Sequence, residues 1–363
     1  SLIEIMVVVT TIGILALLGI PGIRLATERT AATATASDIR VFTEAVEFYS
    51  TSQGHYPETM TYTSMPENIF TIMAFDQRDS YRKMLPEDAP YEMAAEIKKE
   101  VIVSLSQHAS AVLTDPYYGL ESVLNMSGQS GLLMALEESG YTGDSTYRRV
   151  SFIDSWTIDK IQKLGASAIK LLVYYHPETG ELAEEIEALV SDVLQKAHAV
   201  DMPVFLEPLS YSLDESAPKG SAGFAELKPG IVRETARRLG ALGPDVLKLE
   251  FPADAAHNTD HGLWKESCEA ITDVSPVPWV LLSAGVNFDT FEEQTRIACQ
   301  AGASGWLAGR AIWKESIALS PAERANFLAT TAADRTQRLI DIAKSEATPW
   351  SDIYTAPPTG SDW

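Results

Sequence analysis

Three charged residues interrupt otherwise apolar runs of this sequence. They are Lys170 in Ile169-Lys170-Leu171-Leu172-Val173, Glu207 in Phe205-Leu206-Glu207-Pro208 and Lys248 in Val246-Leu247-Lys248-Leu249-Glu250. In an extended strand successive side chains face opposite sides, so Lys248 and Glu250 share one face and Leu247 and Leu249 the other. An amine drawn into an apolar interior beside a second cation holds its proton less tightly and becomes a nucleophile able to attack a carbonyl. Lys170 is the expected second cation. Glu207, a partly desolvated carboxyl, suits proton transfer between water, a carbinolamine and a substrate hydroxyl. The same residues can also form plain ion pairs, Lys248 with Glu250 or another carboxylate and Glu207 with either lysine. From these segments alone both readings stand.

Anion binding has its own candidates in Ser283-Ala284-Gly285-Val286 and Ala308-Gly309-Arg310-Ala311. Glycine lets backbone N–H groups approach a phosphate, and an arginine can grip two of its oxygens at once. A local cationic site is needed for any anionic substrate, because 50 acidic side chains face 28 basic ones and the formal net charge is −22. That balance argues against nucleic acid or an anionic membrane surface as the main partner. The six histidines show no metal-ligand spacing, since His257 and His261 are four apart but lie in a polar stretch. Neither a metal nor a cofactor is expected. Cys268 and Cys299 fall in helix-like segments and read as core residues rather than a disulfide framework.

These residues must be positioned by regular elements, and short apolar runs alternating with amphipathic stretches are the signature of βα units around a parallel sheet. The runs are 69–76, 111–115, 132–137, 168–175, 203–209, 246–252, 279–285 and 305–309, and helix-like segments include 91–105, 158–164, 181–199, 230–239, 263–272 and 288–301. Eight units predict an α/β protein whose sheet closes into a (β/α)8 TIM barrel, with a doubly wound open sheet as the alternative. Barrel active sites are built at the C-terminal ends of the strands. The informative polar residues are then Asp76 and Gln77 after the first strand, Asp115 after the second, Glu137 after the third and Lys170 on the fourth. Glu207 on the fifth, Lys248 and Glu250 on the sixth, Ser283 on the seventh and Arg310 after the eighth complete the set.

Several segments in this order carry a family likeness. They are Ala74-Phe75-Asp76-Gln77-Arg78, Ala109-Ser110-Ala111-Val112-Leu113, the three segments around Lys170, Glu207 and Lys248, Pro278-Trp279-Val280-Leu281-Leu282-Ser283-Ala284-Gly285-Val286, and Ala301-Gly302-Ala303-Ser304-Gly305-Trp306-Leu307-Ala308-Gly309-Arg310-Ala311. Together they resemble the class I tagatose-1,6-bisphosphate aldolases, a group that includes the sulfofructosephosphate aldolases, over nearly all of residues 69–343. The resemblance implies that Lys248 forms an imine with a phosphorylated ketose, that Glu207 moves protons, and that Lys170 and Asp76 assist. It implies further that Gln77 contacts substrate and that Ser283, Gly285, Gly309 and Arg310 hold a phosphate. Asp79 stands where the family has glycine, which changes the charge and backbone freedom of the first βα loop.

The start of the chain is of another kind. Residues 1–23 are almost wholly apolar apart from Glu4 and the threonines, long enough for a membrane-spanning helix. Ile39, Phe42, Val46 and Tyr49 then follow at helical spacing. Ser1-Leu2-Ile3-Glu4-Ile5-Met6-Val7-Val8-Val9, Gly13-Ile14-Leu15 and Ala45-Val46-Glu47-Phe48-Tyr49 resemble the stalk of a type IV pilin or type II secretion pseudopilin. The resemblance implies a long hydrophobic helix over 1–57, with Glu4 contacting a neighbouring subunit and residues 1–23 mediating self-assembly or membrane contact. The expected organisation is therefore that helix, a linker at 58–67, a barrel at 68–345 and a tail at 346–363. An alternative function follows, a pilin-like filament subunit that displays an aldolase-type barrel. The stalk implies a membrane or cell-surface location, the barrel alone a cytoplasmic one.

Overall fold

The structure is a computed structural model that describes residues 68–354. Its strands are β1 (Phe70–Ala74), β2 (Ala111–Thr114), β3 (Gly131–Ala135), β4 (Thr142–Asp144), β5 (Tyr147–Arg149), β6 (Ala168–Tyr174), β7 (Val204–Leu209), β8 (Val246–Leu249), β9 (Trp279–Leu282) and β10 (Gly305–Ala308). Eight of them form a closed parallel barrel in the order β1-β10-β9-β8-β7-β6-β3-β2. The remaining two, β4 and β5, pair antiparallel as a hairpin inserted between the third and fourth barrel strands. The pilin-like stalk, with Glu4, lies outside the described residues.

Period-two alternation explains what fills the barrel. Phe70, Ile72, Ala74, Ala111, Leu113, Leu133, Ala168, Phe205, Val246, Val280 and Leu307 pack as one buried cluster. Most of these sit in the N-terminal halves of their strands. Two residues further along, the same inward phase reaches Asp76 after Ala74, Lys170 after Ala168, Glu207 after Phe205 and Lys248 after Val246. An apolar plug thus fills the lower barrel and charged side chains begin where the plug ends. The outward phase is apolar too, as expected of parallel strands covered by helices. Between β6 and β7, the helix Glu181–His198 buries Leu182, Ala183, Ile186, Val190, Val193, Leu194 and Ala197, a stripe of three- and four-residue steps. Its glutamates at the start and Lys196 and His198 at the end complement the helix dipole.

Two boundaries differ from expectation. The helix foreseen at 230–239 runs from Ala222 to Gly240 with Pro229 inside it. Proline removes one helical hydrogen bond, yet the Ser221 hydroxyl caps the start by accepting from Phe224 N–H, and Phe224 is buried. Packing and cap outweigh the break. Residues 347–354, foreseen as tail, close the floor of the barrel instead. Trp350 stacks on Phe70 at 6.3 Å between ring centroids and its backbone N–H donates to the Asn68 carbonyl at 2.7 Å.

Candidate active site

At the top of the apolar plug two buried lysines share one carboxylate. Lys170 and Lys248 are 1% and 4% exposed. Glu207 Oε2 lies 2.8 Å from Lys248 Nζ and 3.1 Å from Lys170 Nζ. Register makes this unavoidable: Leu206 pairs with Leu247 across β7 and β8, and Leu172 with Glu207 across β6 and β7, so the three side chains project from adjacent strands.

The two lysines differ sharply in their other partners. Lys170 Nζ also contacts Asp76 Oδ2 and Glu137 Oε1, each at 2.7 Å. Burial works against its charge, but Asp76, Glu137 and Glu207 together hold its pKa well above the ordinary lysine value. Lys248 has Glu207 alone among the described residues. Asp76 is the reciprocal case: burial would raise its pKa, yet Lys170, Lys248 and Arg78 depress it well below the usual carboxylate range. Glu137 is fixed from a third side, because Arg78 Nη2 lies 3.4 Å from Oε1 and Leu172 N–H donates to Oε2 at 3.0 Å. Buried Asp76, Glu137 and Glu207 thus face buried Lys170, Lys248 and Arg78, three buried charges of each sign, with the part-exposed Glu138 at the edge, 3.7 Å from Arg78 Nη1. A balanced set is what makes so many buried charges tolerable.

Lys170 is a cation beside Lys248, but one enclosed by three carboxylates. Glu250 does not pair with Lys248. Its carboxylate accepts from Ser210 N–H at 2.8 Å and Ser210 Oγ at 2.6 Å and pairs with Lys219. Burial alone would raise its pKa, and Lys219 and Lys228 pull it down. Beyond the last residue of a short strand the backbone leaves the ladder, and the alternation that fixes Lys248 no longer governs Glu250.

Above the first strand, residues 76–78 form a polar turn. Asp76 Oδ1, Gln77 Oε1 and Arg78 Nε are buried without a hydrogen-bond partner. The turn is held from outside by Lys98, a fully buried residue of the helix Tyr91–Leu105. Its ammonium donates to the Gln77 carbonyl at 2.9 Å, pairs with Asp115, and lies 4.5 Å from the Phe75 ring centroid. Lys98 was missed in the sequence, as was the tether supplied by Arg78. Glu137 was visible only as a polar residue at a strand end.

The turns after β9 and β10 come together. Gly309 N–H donates to Ser283 Oγ at 3.3 Å. Gly309 has no room for a side chain, because a Cβ would sit 2.9 Å from the Ala74 carbonyl oxygen. Ala284 and Gly285 both adopt positive φ, 45° and 81°. The Arg310 guanidinium lies so close over Gly285 that a Cβ there would be 3.0 Å from its central carbon. No ion pair or hydrogen bond engages that guanidinium among the described residues. The helix after β10 is only the turn Arg310–Trp313. Backbone N–H groups and one arginine, rather than a helix dipole, therefore make this corner attractive to anions.

His257 and His261 do not converge. His257 Nε2 lies 2.8 Å from the Gly220 carbonyl and His261 Nδ1 lies 3.2 Å from Glu293. Both cysteines are buried and unpaired, and burial raises both thiol pKa values.

With this geometry in place, comparison with known proteins decides the family. The model of the DeoC/LacD family aldolases matches residues 70–315. The chain belongs to that family. A tagatose 1,6-diphosphate aldolase of Streptococcus pyogenes is 31% identical over 320 residues, covering 82% of this chain and 97% of the relative. A tagatose 1,6-diphosphate aldolase of Lactococcus lactis subsp. lactis is 32% identical over 306 residues, covering 78% and 94%. Among solved structures, a fructose-bisphosphate aldolase of Plasmodium falciparum superposes with a TM-score of 0.61 at 10% identity, covering 80% of this chain and 95% of its own. That last likeness speaks for the barrel fold alone. As a DeoC/LacD family aldolase, the protein is an aldehyde-lyase.

Proposed function

We propose that this aldolase cleaves a phosphorylated ketose of the tagatose 1,6-bisphosphate kind to dihydroxyacetone phosphate and an aldehyde, through an imine on Lys248. The observation that carries the reading is the asymmetry between the two buried lysines. Lys170 is saturated by three carboxylates and stays charged. Lys248 has a single carboxylate partner 2.8 Å away, so one proton transfer to Glu207 frees its lone pair. That transfer moves a proton within the cluster and leaves its net charge unchanged. The names of the relatives, aldolases of tagatose 1,6-diphosphate, support the substrate class.

In this reading the 1-phosphate sits on Arg310, Ser283 Oγ and the backbone of Gly285 and Gly309, which brings the C2 carbonyl to Lys248. The amine adds to C2 as one of its protons passes to the carbonyl oxygen, Glu207 protonates the resulting carbinolamine hydroxyl, and water leaves to give an iminium. The iminium restores the positive charge of Lys248, so Glu207, now ionised, keeps its counterion. A carboxylate then removes the C4 hydroxyl proton, the C3–C4 bond breaks, its electron pair becomes the C2–C3 double bond, and the C2–N π pair moves onto nitrogen to give an enamine. The aldehyde departs with a C4 carbonyl. Protonation at C3 and addition of water to C2 release dihydroxyacetone phosphate and regenerate the amine. Lys170 stabilises the negative charge on the carboxylates throughout, while the free oxygen of Asp76 and the Gln77 amide are placed to take substrate hydroxyls.

The test is reduction by borohydride. The aldolase incubated with dihydroxyacetone phosphate and borohydride should be inactivated irreversibly, and with borohydride alone it should not. Equal survival in both mixtures would exclude a Schiff base.

A further inference from the structure

Lys98 carries a buried charge to the back of the first βα turn. It stands in the apolar stripe of the helix Tyr91–Leu105, one turn after Ala94 and one turn before Val101 and Ile102, and is fully buried. The ring centroids of Phe75, Tyr81 and Tyr118 lie 4.5, 5.3 and 5.7 Å from its nitrogen. An ammonium has three N–H donors. One goes to the Gln77 carbonyl at 2.9 Å, another to the Asp115 carboxylate, and the Phe75 ring offers its face to the third. Asp115 is fixed in turn, since its Oδ1 accepts from the backbone N–H of Tyr117 at 2.8 Å and of Tyr118 at 3.0 Å. A buried ion pair gains little stability over an apolar pair of the same shape, whereas a charged donor holds a carbonyl firmly in one place.

The carbonyl that Lys98 holds belongs to a residue in the mouth of the barrel. Gln77 lies between Asp76, which pairs with Lys170 at 2.7 Å, and Arg78, whose Nη1 donates to the Glu137 carbonyl at 2.7 Å. The side chains before and after it are thus tied to the charged cluster. The Gln77 amide is not, for its Oε1 is buried without a hydrogen-bond partner. Its nitrogen borders the other half of the site, because a Cβ at Gly309 would lie 3.4 Å from Nε2. An amide in this place can reach a substrate that spans Lys170 and the anion corner, provided its backbone points it there. The ammonium behind the Gln77 carbonyl supplies that direction.

We propose that Lys98 is a positioning residue of the aldolase: by holding the Gln77 carbonyl it aims the Gln77 amide, between Asp76 and Gly309, at the substrate. The assignment rests on the Lys248 reading above. Three variants are compared with the unaltered enzyme in cleavage of tagatose 1,6-bisphosphate, with Tm measured alongside. Lys98→Met joined with Asp115→Asn removes the ammonium and its counter-charge together, so no lone charge is left inside. Gln77→Ala removes the amide and keeps the carbonyl. The third variant carries all three substitutions. Each of the first two should lower kcat/KM roughly 10- to 100-fold, the effect of displacing a contact by about 1 Å or deleting it. The third should lose no more than Gln77→Ala alone, because Lys98 then has no amide to aim. Losses that multiply in the third variant, or an unchanged kcat/KM in the paired one, would overturn the proposal. Asp115→Asn alone covers the case in which the paired variant does not fold. It removes the ion pair but leaves the Lys98 amine on the Gln77 carbonyl, so Tm should fall while kcat/KM, read well below Tm, stays nearly unchanged. A kcat/KM that falls in step with Tm assigns Lys98 to stability alone and equally overturns the proposal. Borohydride trapping with dihydroxyacetone phosphate is read in parallel. Failure of trapping in the unaltered enzyme sinks the Lys248 reading, whereas intact trapping with multiplying losses sinks the role of Lys98 and no other.

Discussion

Replacing Lys170 with methionine tests whether the buried cluster is held together by charge balance. The ammonium contacts Asp76 and Glu137 at 2.7 Å and Glu207 at 3.1 Å. Methionine fills similar space but leaves three buried carboxylates facing Lys248 and Arg78, one buried negative charge in excess. Removing one member of a buried charged set typically costs about 3–5 kcal/mol. At about 2–4 °C per kcal/mol for a domain of this size, Tm should fall by roughly 6–20 °C. The pH dependence has a definite sign. Asp76 has a depressed pKa, so its contribution in the native protein is complete above about pH 4, its unfolded value, and fades only as pH falls further. Lys170 has a raised pKa, so its contribution is complete below about pH 10 and fades only in strong alkali. The unaltered protein should therefore vary little with pH through neutrality as far as this cluster is concerned. In Lys170→Met the excess negative charge raises a carboxylate pKa, and protonation relieves it as pH falls. The assay is thermal or denaturant unfolding of both proteins at pH 8, 7 and 5, with a deficit largest at pH 8 and smallest at pH 5. A deficit independent of pH, or no deficit, would refute the charge-balance argument.

Glu207→Gln keeps the shape beside Lys248 but cannot carry its proton, so kcat should fall by roughly 10²–10⁴-fold while borohydride trapping slows without vanishing. Stopped-flow and single-turnover trapping measure the two effects separately, and an unchanged kcat would move the proton-transfer role to another carboxylate. Arg310→Ala should weaken a phosphorylated ketose by about 1.5–3 kcal/mol with almost no change in Tm, because the side chain has no carboxylate partner to abandon. Unaltered KM, or a large fall in Tm, would place the 1-phosphate elsewhere.

Much of this site can be read from the chain because strand alternation is a rigid rule. Once Val246 is inside, Lys248 must be inside, and the same step places Lys170 and Glu207 on the neighbouring strands. Turn chemistry is comparably legible: the glycines at 285 and 309 and the arginine at 310 meet as their order suggests. What could not be read depends on contacts between distant segments. Lys98 sits on an amphipathic helix where lysine ordinarily faces water, and its burial arises only when the first βα turn closes over it with Asp115 and Gln77. Glu137 becomes the third partner of Lys170 only because Arg78 and Leu172 N–H hold it from two sides. Glu250 follows the right period on paper but lies past the end of β8, where Ser210 and Lys219 capture it. The hairpin of β4 and β5 is six strand residues in a polar connection, too short and exposed to show a pattern of its own.

The central claim is that Lys248, and not Lys170, forms the covalent bond. The most direct measurement is the position of the adduct after incubation with dihydroxyacetone phosphate, borohydride reduction, proteolysis and mass spectrometry. The account predicts a single modified lysine at position 248, absent from Lys248→Met. A reduced adduct on Lys170 with Lys248 unmodified would contradict it.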